Sequence, residues 1–173
     1  ARHRALTDPD ALAKLAPIRK AIGRRTIFNL TGPAANPAGV KRQLIGVARP
    51  DFMPVYAGAL QRLGYDDAML VAGDEPLDEL SVSMGSHYVR LGQSMQAIAP
   101  EDVGLSRHPL SALRGGDAAF NAAALRRLLG GEAGAYRDAV LFNAAAALIL
   151  AVQASAWYAL VEEAAVLLAT ALA

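Results

Sequence analysis

Two adjacent carboxylates, Asp78 and Glu79, close the stretch Gly73-Asp74-Glu75-Pro76-Leu77-Asp78-Glu79, with neither cysteine nor histidine beside them. Neighbouring side chains of an extended strand point to opposite faces. In a turn, preset here by Pro76, both can face one ligand. Hard oxygen donors of this kind suit magnesium, which keeps several waters and shares its remaining positions with substrate phosphates. A solvated acidic turn fits the same residues. Asp74 and Glu75 are read as solvated, or as supporting the pair from outside it.

The second stretch with chemical potential runs from Pro17 to Gly39, PIRKAIGRRTIFNLTGPAANPAG. Gly32, Pro33, Asn36, Pro37 and Gly39 set backbone angles in a loop that reads as rigid. Arg19, Lys20, Arg24 and Arg25 crowd positive charge against it. A rigid loop beside cations can hold a carboxylate or a phosphate, and a planar guanidinium grips a carboxylate through two parallel hydrogen bonds. A solvated basic helix end followed by a structural turn is the plainer alternative. Elsewhere, Asp117 follows Gly115-Gly116. A carboxylate at a helix start repels phosphate, so a capping role is expected for it. His3, His87 and His108 lack metal-ligand spacing and a nucleophile partner, Met84 and Trp157 read as packing residues, and no residue is assigned to catalysis.

The elements that must position these residues follow from periodicity and turn chemistry. A helix opens near Asp8-Pro9, carries Ala11, Leu15 and Ile18 on one face, and ends at Gly23. Gln43 to Ala48 reads as a buried strand. Asp51 is expected to cap a helix through Leu63 whose face is Val55, Ala59 and Leu63. Asp67 to Ala72 reads as a second buried strand that feeds the acidic turn. Strand, helix and strand with short links indicate a right-handed crossover, and parallel sheets bind ligands at the carboxyl ends of their strands. His87 to Leu91 and Ser94 to Ile98 form an expected hairpin, and Pro100 to Leu113 is mostly loop. Helices are expected from Asp117 through Leu129, from Ala135 to Val152 and from Ala156 to Leu172. The fold class is therefore α/β, a largely parallel or mixed sheet flanked by helices, with no domain boundary visible within residues 1–173.

Composition narrows the partners. With 54% hydrophobic and 19% charged residues the chain suits a compact core. A net charge of +1 supplies no long-range field for nucleic acid or an anionic membrane. The absence of cysteine excludes disulfides and thiolate metal sites. No signal-peptide pattern opens the chain, which makes the cytoplasm the default location. Ala139 to Val161 carries no charge and is long enough to span a bilayer, but its alanine content, Asn143, Gln153 and Ser155 favour two helices joined by a turn near Gln153 to Ala156.

RTIFNLTGPAANPAG closely resembles the signature of the anthranilate phosphoribosyltransferases. The resemblance continues in family order through KRQLIGVARPDF, GDEPLDELS, LRGGDAAFNAAAL and AYRDAVLFNAAAAL, and covers roughly residues 11 to 150. It implies transfer of a phosphoribosyl group from phosphoribosyl pyrophosphate (PRPP) to anthranilate, with release of pyrophosphate, in tryptophan biosynthesis. It also implies the C-terminal part of a phosphoribosyltransferase α/β domain and dependence on Mg2+. By the matching motifs, Asp78 and Glu79 hold the metal, Arg19 contacts the anthranilate carboxylate, Gly32 and Pro33 lie along the acceptor, and Arg25 ties the loop to the domain.

The family's Gly-Thr-Gly-Gly-Asp phosphate loop and the small helical domain that makes its homodimer are expected upstream of Ala1, and neither is found in residues 1–173. Asp8 to Lys14 replaces a family segment containing a histidine of the acceptor pocket, and Thr31 and Ala34 stand where leucine is usual. The expectation is therefore part of a longer enzyme, inactive alone. Alternatives are a non-catalytic family paralogue that binds nucleic acid or a partner protein, a pyrimidine nucleoside phosphorylase relative, and an oligomerisation fragment.

Overall fold

The computed structural model of the chain describes residues 17–18, 20–23, 33–34, 38–152 and 156–170. Two compact units are present, Ala1–Lys41 and Arg42–Ala173. In the first, residues 17–18 and 20–22 are helical. Gly23 takes a φ of 65° there. That left-handed conformation ends helices, as its sequence position implied. The helix start near Asp8 lies outside the described residues.

The second unit is a four-stranded mixed sheet in the order β1-β2-β3-β4, where β1 is Arg42–Gly46, β2 Asp67–Gly73, β3 Ser86–Arg90 and β4 Gln96–Ile98. β1 and β2 pair in parallel with Arg42 opposite Asp67. The link between them carries a 3-10 turn, Pro50–Phe52, and helix α1, Met53–Arg62. β3 returns antiparallel on β2, and β4 antiparallel on β3, which is the expected hairpin. Three further helices follow: α2, Ala118–Leu129, α3, Ala135–Val152, and α4, Trp157–Thr170.

β2 is apolar from Ala68 onward because both its faces are covered. Met69 and Val71, alternate residues on one face, join Phe142, Ala145, Ala146 and Ile149 of α3 and Leu160, Val161 and Ala164 of α4 in the main core. Ala68, Leu70 and Ala72 turn to the side that α1 covers. Trp157 packs with ring centroids 5.3 Å from Tyr88 and 6.1 Å from Phe142. Met84, by contrast, is 46% exposed and is no packing residue.

Two expectations about α1 are corrected. Its buried stripe is Met53, Ala57 and Leu60, whereas Val55 is 74% exposed and Leu63 is also exposed. Apolar residues lie all round this helix, so its period fits more than one face, and the sheet selects the one used. Asp51 does not cap α1 either. It sits in the 3-10 turn and pairs with Arg49, whose guanidinium lies over the Phe52 ring at 4.4 Å. Pro54 opens the helix without a side-chain cap. Asp117 does cap α2, its Oδ1 accepting from the Phe120 N–H at 2.8 Å. Among the described residues no helix is long and apolar enough to cross a membrane, and the uncharged stretch falls into α3 and α4.

Candidate metal site

At Gly73, where β2 ends, the chain turns sharply. The Gly73 N–H donates to the Leu77 carbonyl at 2.9 Å, and the Asp74 N–H to the Gly85 carbonyl at 2.9 Å. These bonds close the acidic stretch into a compact loop at the carboxyl end of the strand. Asp78 and Glu79 lie exposed on it, and their carboxylates make no ion pair or side-chain hydrogen bond among the described residues. Directly after them come Leu80, Ser81 and Val82, each 1% exposed. Two exposed carboxylates thus stand on a buried footing.

That footing is heavily bonded. Leu80 is held by Asn143 of α3: its N–H donates to Asn143 Oδ1 at 2.9 Å, and its carbonyl accepts from Asn143 Nδ2 at 3.0 Å. The Ser81 N–H donates to Ser86 Oγ at 2.8 Å. Ser81 Oγ donates to Glu75 Oε1 and accepts from the N–H groups of Ser83 and Met84 at 2.9 and 3.1 Å. Glu75 is therefore turned inward as a brace, with its Oε2 buried, rather than solvated. Asp74 Oδ1 lies 3.0 Å from His87 Nδ1, off the hydrogen-bond direction.

Around the rim, Arg107 donates through Nη1 to the Ser83 carbonyl at 3.0 Å and through Nε and Nη2 to Glu101 at 2.8 and 3.0 Å. The Glu101 bonds raise the Arg107 pKa, with Glu75 and Asp74 adding to it, and Arg107 in turn holds the Glu101 carboxyl below the usual carboxylate range. His108 donates its backbone N–H to the Val82 carbonyl at 2.8 Å, and its Nε2 lies 2.7 Å from Asp138 Oδ2 of α3.

β1 contributes a close approach. A Cβ placed on Gly46, the last residue of β1, would lie 1.8 Å from the Asp78 carbonyl oxygen. Only glycine lets the loop lie directly over the end of that strand. The carboxylate pair is thereby seated over the carboxyl ends of two parallel strands, the side on which such sheets bind ligands.

Asp78 and Glu79 both lie exposed on the loop that follows β2. Of the acceptor residues, Arg19 and Gly32 lie outside the described residues, as does Arg25. Pro33 is helical with Ala34 and half-buried. A cleft of about 430 Å³ opens elsewhere, lined by Arg114, Asn121, Arg127 and Tyr136 among others, and does not include the carboxylate pair. Asn143 and Gly46 carry no assignment from the sequence, whereas Glu75, bonded to Ser81, fits the second of its two readings, a support outside the pair. Asn143 lies in the quoted AYRDAVLFNAAAAL motif, but its partner is backbone, which leaves no mark in the sequence.

As a donor set, Asp78 and Glu79 fit a divalent cation held by few protein oxygens: they are hard, exposed and without an ion pair among the described residues. Among the described residues no group of three or more metal-ligating side chains is assembled. Remaining positions on such an ion would fall to water and a phosphate-bearing ligand.

A mixed four-stranded sheet flanked by helices, with an acidic loop at the strand ends, defines an α/β domain. The family described as "Glycosyl transferase family, a/b domain" matches residues 6–173, and the chain belongs to it. The chain is 58% identical over 158 residues to the anthranilate phosphoribosyltransferase of Novosphingobium aromaticivorans, covering 90% of this chain and 48% of that one. The Sphingopyxis alaskensis enzyme of the same name is 61% identical over 144 residues, covering 82% and 43%. Among solved structures, anthranilate phosphoribosyltransferase from Thermus thermophilus superposes with a TM-score of 0.86 at 40% identity, over 93% of this chain and 48% of that one. The Saccharomyces cerevisiae enzyme in complex with PRPP and Mg gives 0.79 at 27%, over 90% and 45%. The chain spans about half the length of the relatives it matches.

Proposed function

We propose that the chain is the metal- and acceptor-binding part of an anthranilate phosphoribosyltransferase. The complete protein transfers phosphoribosyl from PRPP to anthranilate, giving N-(5-phosphoribosyl)anthranilate and pyrophosphate in tryptophan biosynthesis. The observation that carries this reading is the free Asp78–Glu79 pair on a bonded, buried footing, in a chain 58% identical to a relative of that name. The anthranilate nitrogen attacks the anomeric carbon, the bond to pyrophosphate oxygen breaks, and the nitrogen gives up a proton. Asp78 and Glu79 hold magnesium, which supplies charge neutralisation on the departing pyrophosphate. Arg19 grips the acceptor carboxylate bidentately, and Gly32 and Pro33 line the acceptor. The reading includes a cytoplasmic homodimer as the working state.

The test is complementation. The 173-residue chain is co-expressed with the upstream half of the Novosphingobium aromaticivorans relative, and PRPP-dependent consumption of anthranilate is followed by its fluorescence. Transfer by the pair, and none by either half, is expected. A folded, associated pair that leaves anthranilate untouched overturns the reading.

A further inference from the structure

We propose that Asn143 is the positioning residue for the Asp78–Glu79 pair, an inference that rests on reading that pair as the magnesium site. Asn143 lies mid-helix in α3, where asparagine is a poor helix former compared with the alanines that follow it. Both ends of its side-chain amide are bonded. Oδ1 accepts from the Leu80 N–H at 2.9 Å, and Nδ2 donates at 3.0 Å both to the Leu80 carbonyl and to the carbonyl of Ala139, one turn back on its own helix. Only one orientation of the amide satisfies two carbonyls and one N–H, so the group is locked.

The bond to Ala139 fixes the Asn143 rotamer, and the two bonds to Leu80 transmit that fixity to the loop. The Leu80 nitrogen belongs to the planar peptide whose other end is the Glu79 Cα. Holding that plane sets the direction in which Glu79 leaves the backbone. On the near side, the Asp78 carbonyl packs closely against Gly46 at the end of β1. A two-carboxylate site needs both groups held within about 0.5 Å of a shared ligand position. The exposed pair has no partner among the described residues to hold it, so its geometry comes from its backbone. Asn143 takes the place of an outer-shell ligand partner, acting on the main chain instead of on the carboxylates.

The test uses the 15N-labelled 173-residue chain titrated with Mn2+ alone, reading paramagnetic broadening of assigned amide signals. In the wild type, broadening centred on Asp78 and Glu79 is expected, and broadening centred elsewhere overturns the magnesium reading itself. Given binding at the pair, Asn143→Ala is expected to raise the Mn2+ dissociation constant at least about 10-fold, as loss of an outer-shell partner does. Leu160→Ala, a core change in α4, is the control: it should lower the melting temperature and leave that constant in place. An unchanged constant in a folded Asn143→Ala chain overturns the positioning role while leaving the magnesium reading intact. Should the alanine variant not fold, Asn143→Gln carries the test, since it keeps the amide but displaces it by one methylene; weakened Mn2+ binding supports the proposal, and wild-type binding overturns it.

Discussion

At the scale of single residues, the site is built from side chains of opposite habit. Asp78 and Glu79 make no ion pair among the described residues, whereas Glu75, three and four positions before them, is consumed in bracing Ser81. Replacing Asp78 by Asn or Glu79 by Gln removes a charge without changing shape. In the complemented enzyme, each is expected to raise the magnesium concentration needed for half-maximal rate by about 100-fold or more, at or beyond the upper end of the effect of outer-shell partners. Gly46→Ala drives a methyl group into the Asp78 carbonyl. It should cost about 1–3 kcal/mol in urea unfolding, the usual penalty of overpacking, and weaken Mn2+ binding as well. Glu101 offers a pH test. Its carboxyl is held below the usual range by the Arg107 hydrogen bonds, so the pair's contribution to stability is complete above the ordinary carboxylate value. That contribution is lost as pH falls through the lowered one. Melting temperatures of wild type and Glu101→Gln should therefore differ near neutrality and converge in acid. Both partners are well exposed, so the difference should be small.

At the scale of elements, α3 does most of the organising. Phe142 is fully buried among β2, α4 and Trp157. Phe142→Ala is expected to cost about 3–5 kcal/mol in chemical denaturation. Asp117→Ala, by comparison, removes only the α2 cap and should cost about 1 kcal/mol. The sequence announced these elements unevenly. β2 was legible because a continuous apolar run ending in a charged turn has few other readings, and Asp117 because a carboxylate after two glycines suits a helix start. The working face of α1 was not, since Val55, Ala59 and Leu63 satisfy the helical period as well as Met53, Ala57 and Leu60 do. Asp51 looked like a cap, yet Arg49 two residues earlier offered its carboxylate a nearer partner. That the carboxylate pair lies exposed in a turn after β2 was legible from residue type and motif. The pair's supports were not, because Leu80 is reached through its main chain by a residue 63 positions away.

For the whole molecule, the decisive fact is that the chain spans 48% of a relative to which it is 58% identical. Its sheet and core are nevertheless extensive, with 25 hydrophobic residues buried among those described. The chain alone is expected to fold cooperatively in a thermal melt followed by circular dichroism, and to bind Mn2+ without consuming PRPP. The long reach from Leu80 to Asn143 also bears on how the protein comes to be. Contacts between residues far apart in sequence form late, because the intervening chain must be confined before they give any return. Hairpin β3–β4 and the helices can form from near neighbours, but the loop bearing Asp78 and Glu79 is expected to take its final shape when α3 docks. Competence to hold a metal should then be the last property gained in refolding. In a stopped-flow experiment it would trail the return of helical signal, and a nascent chain still short of residue 143 would have both carboxylates and no site.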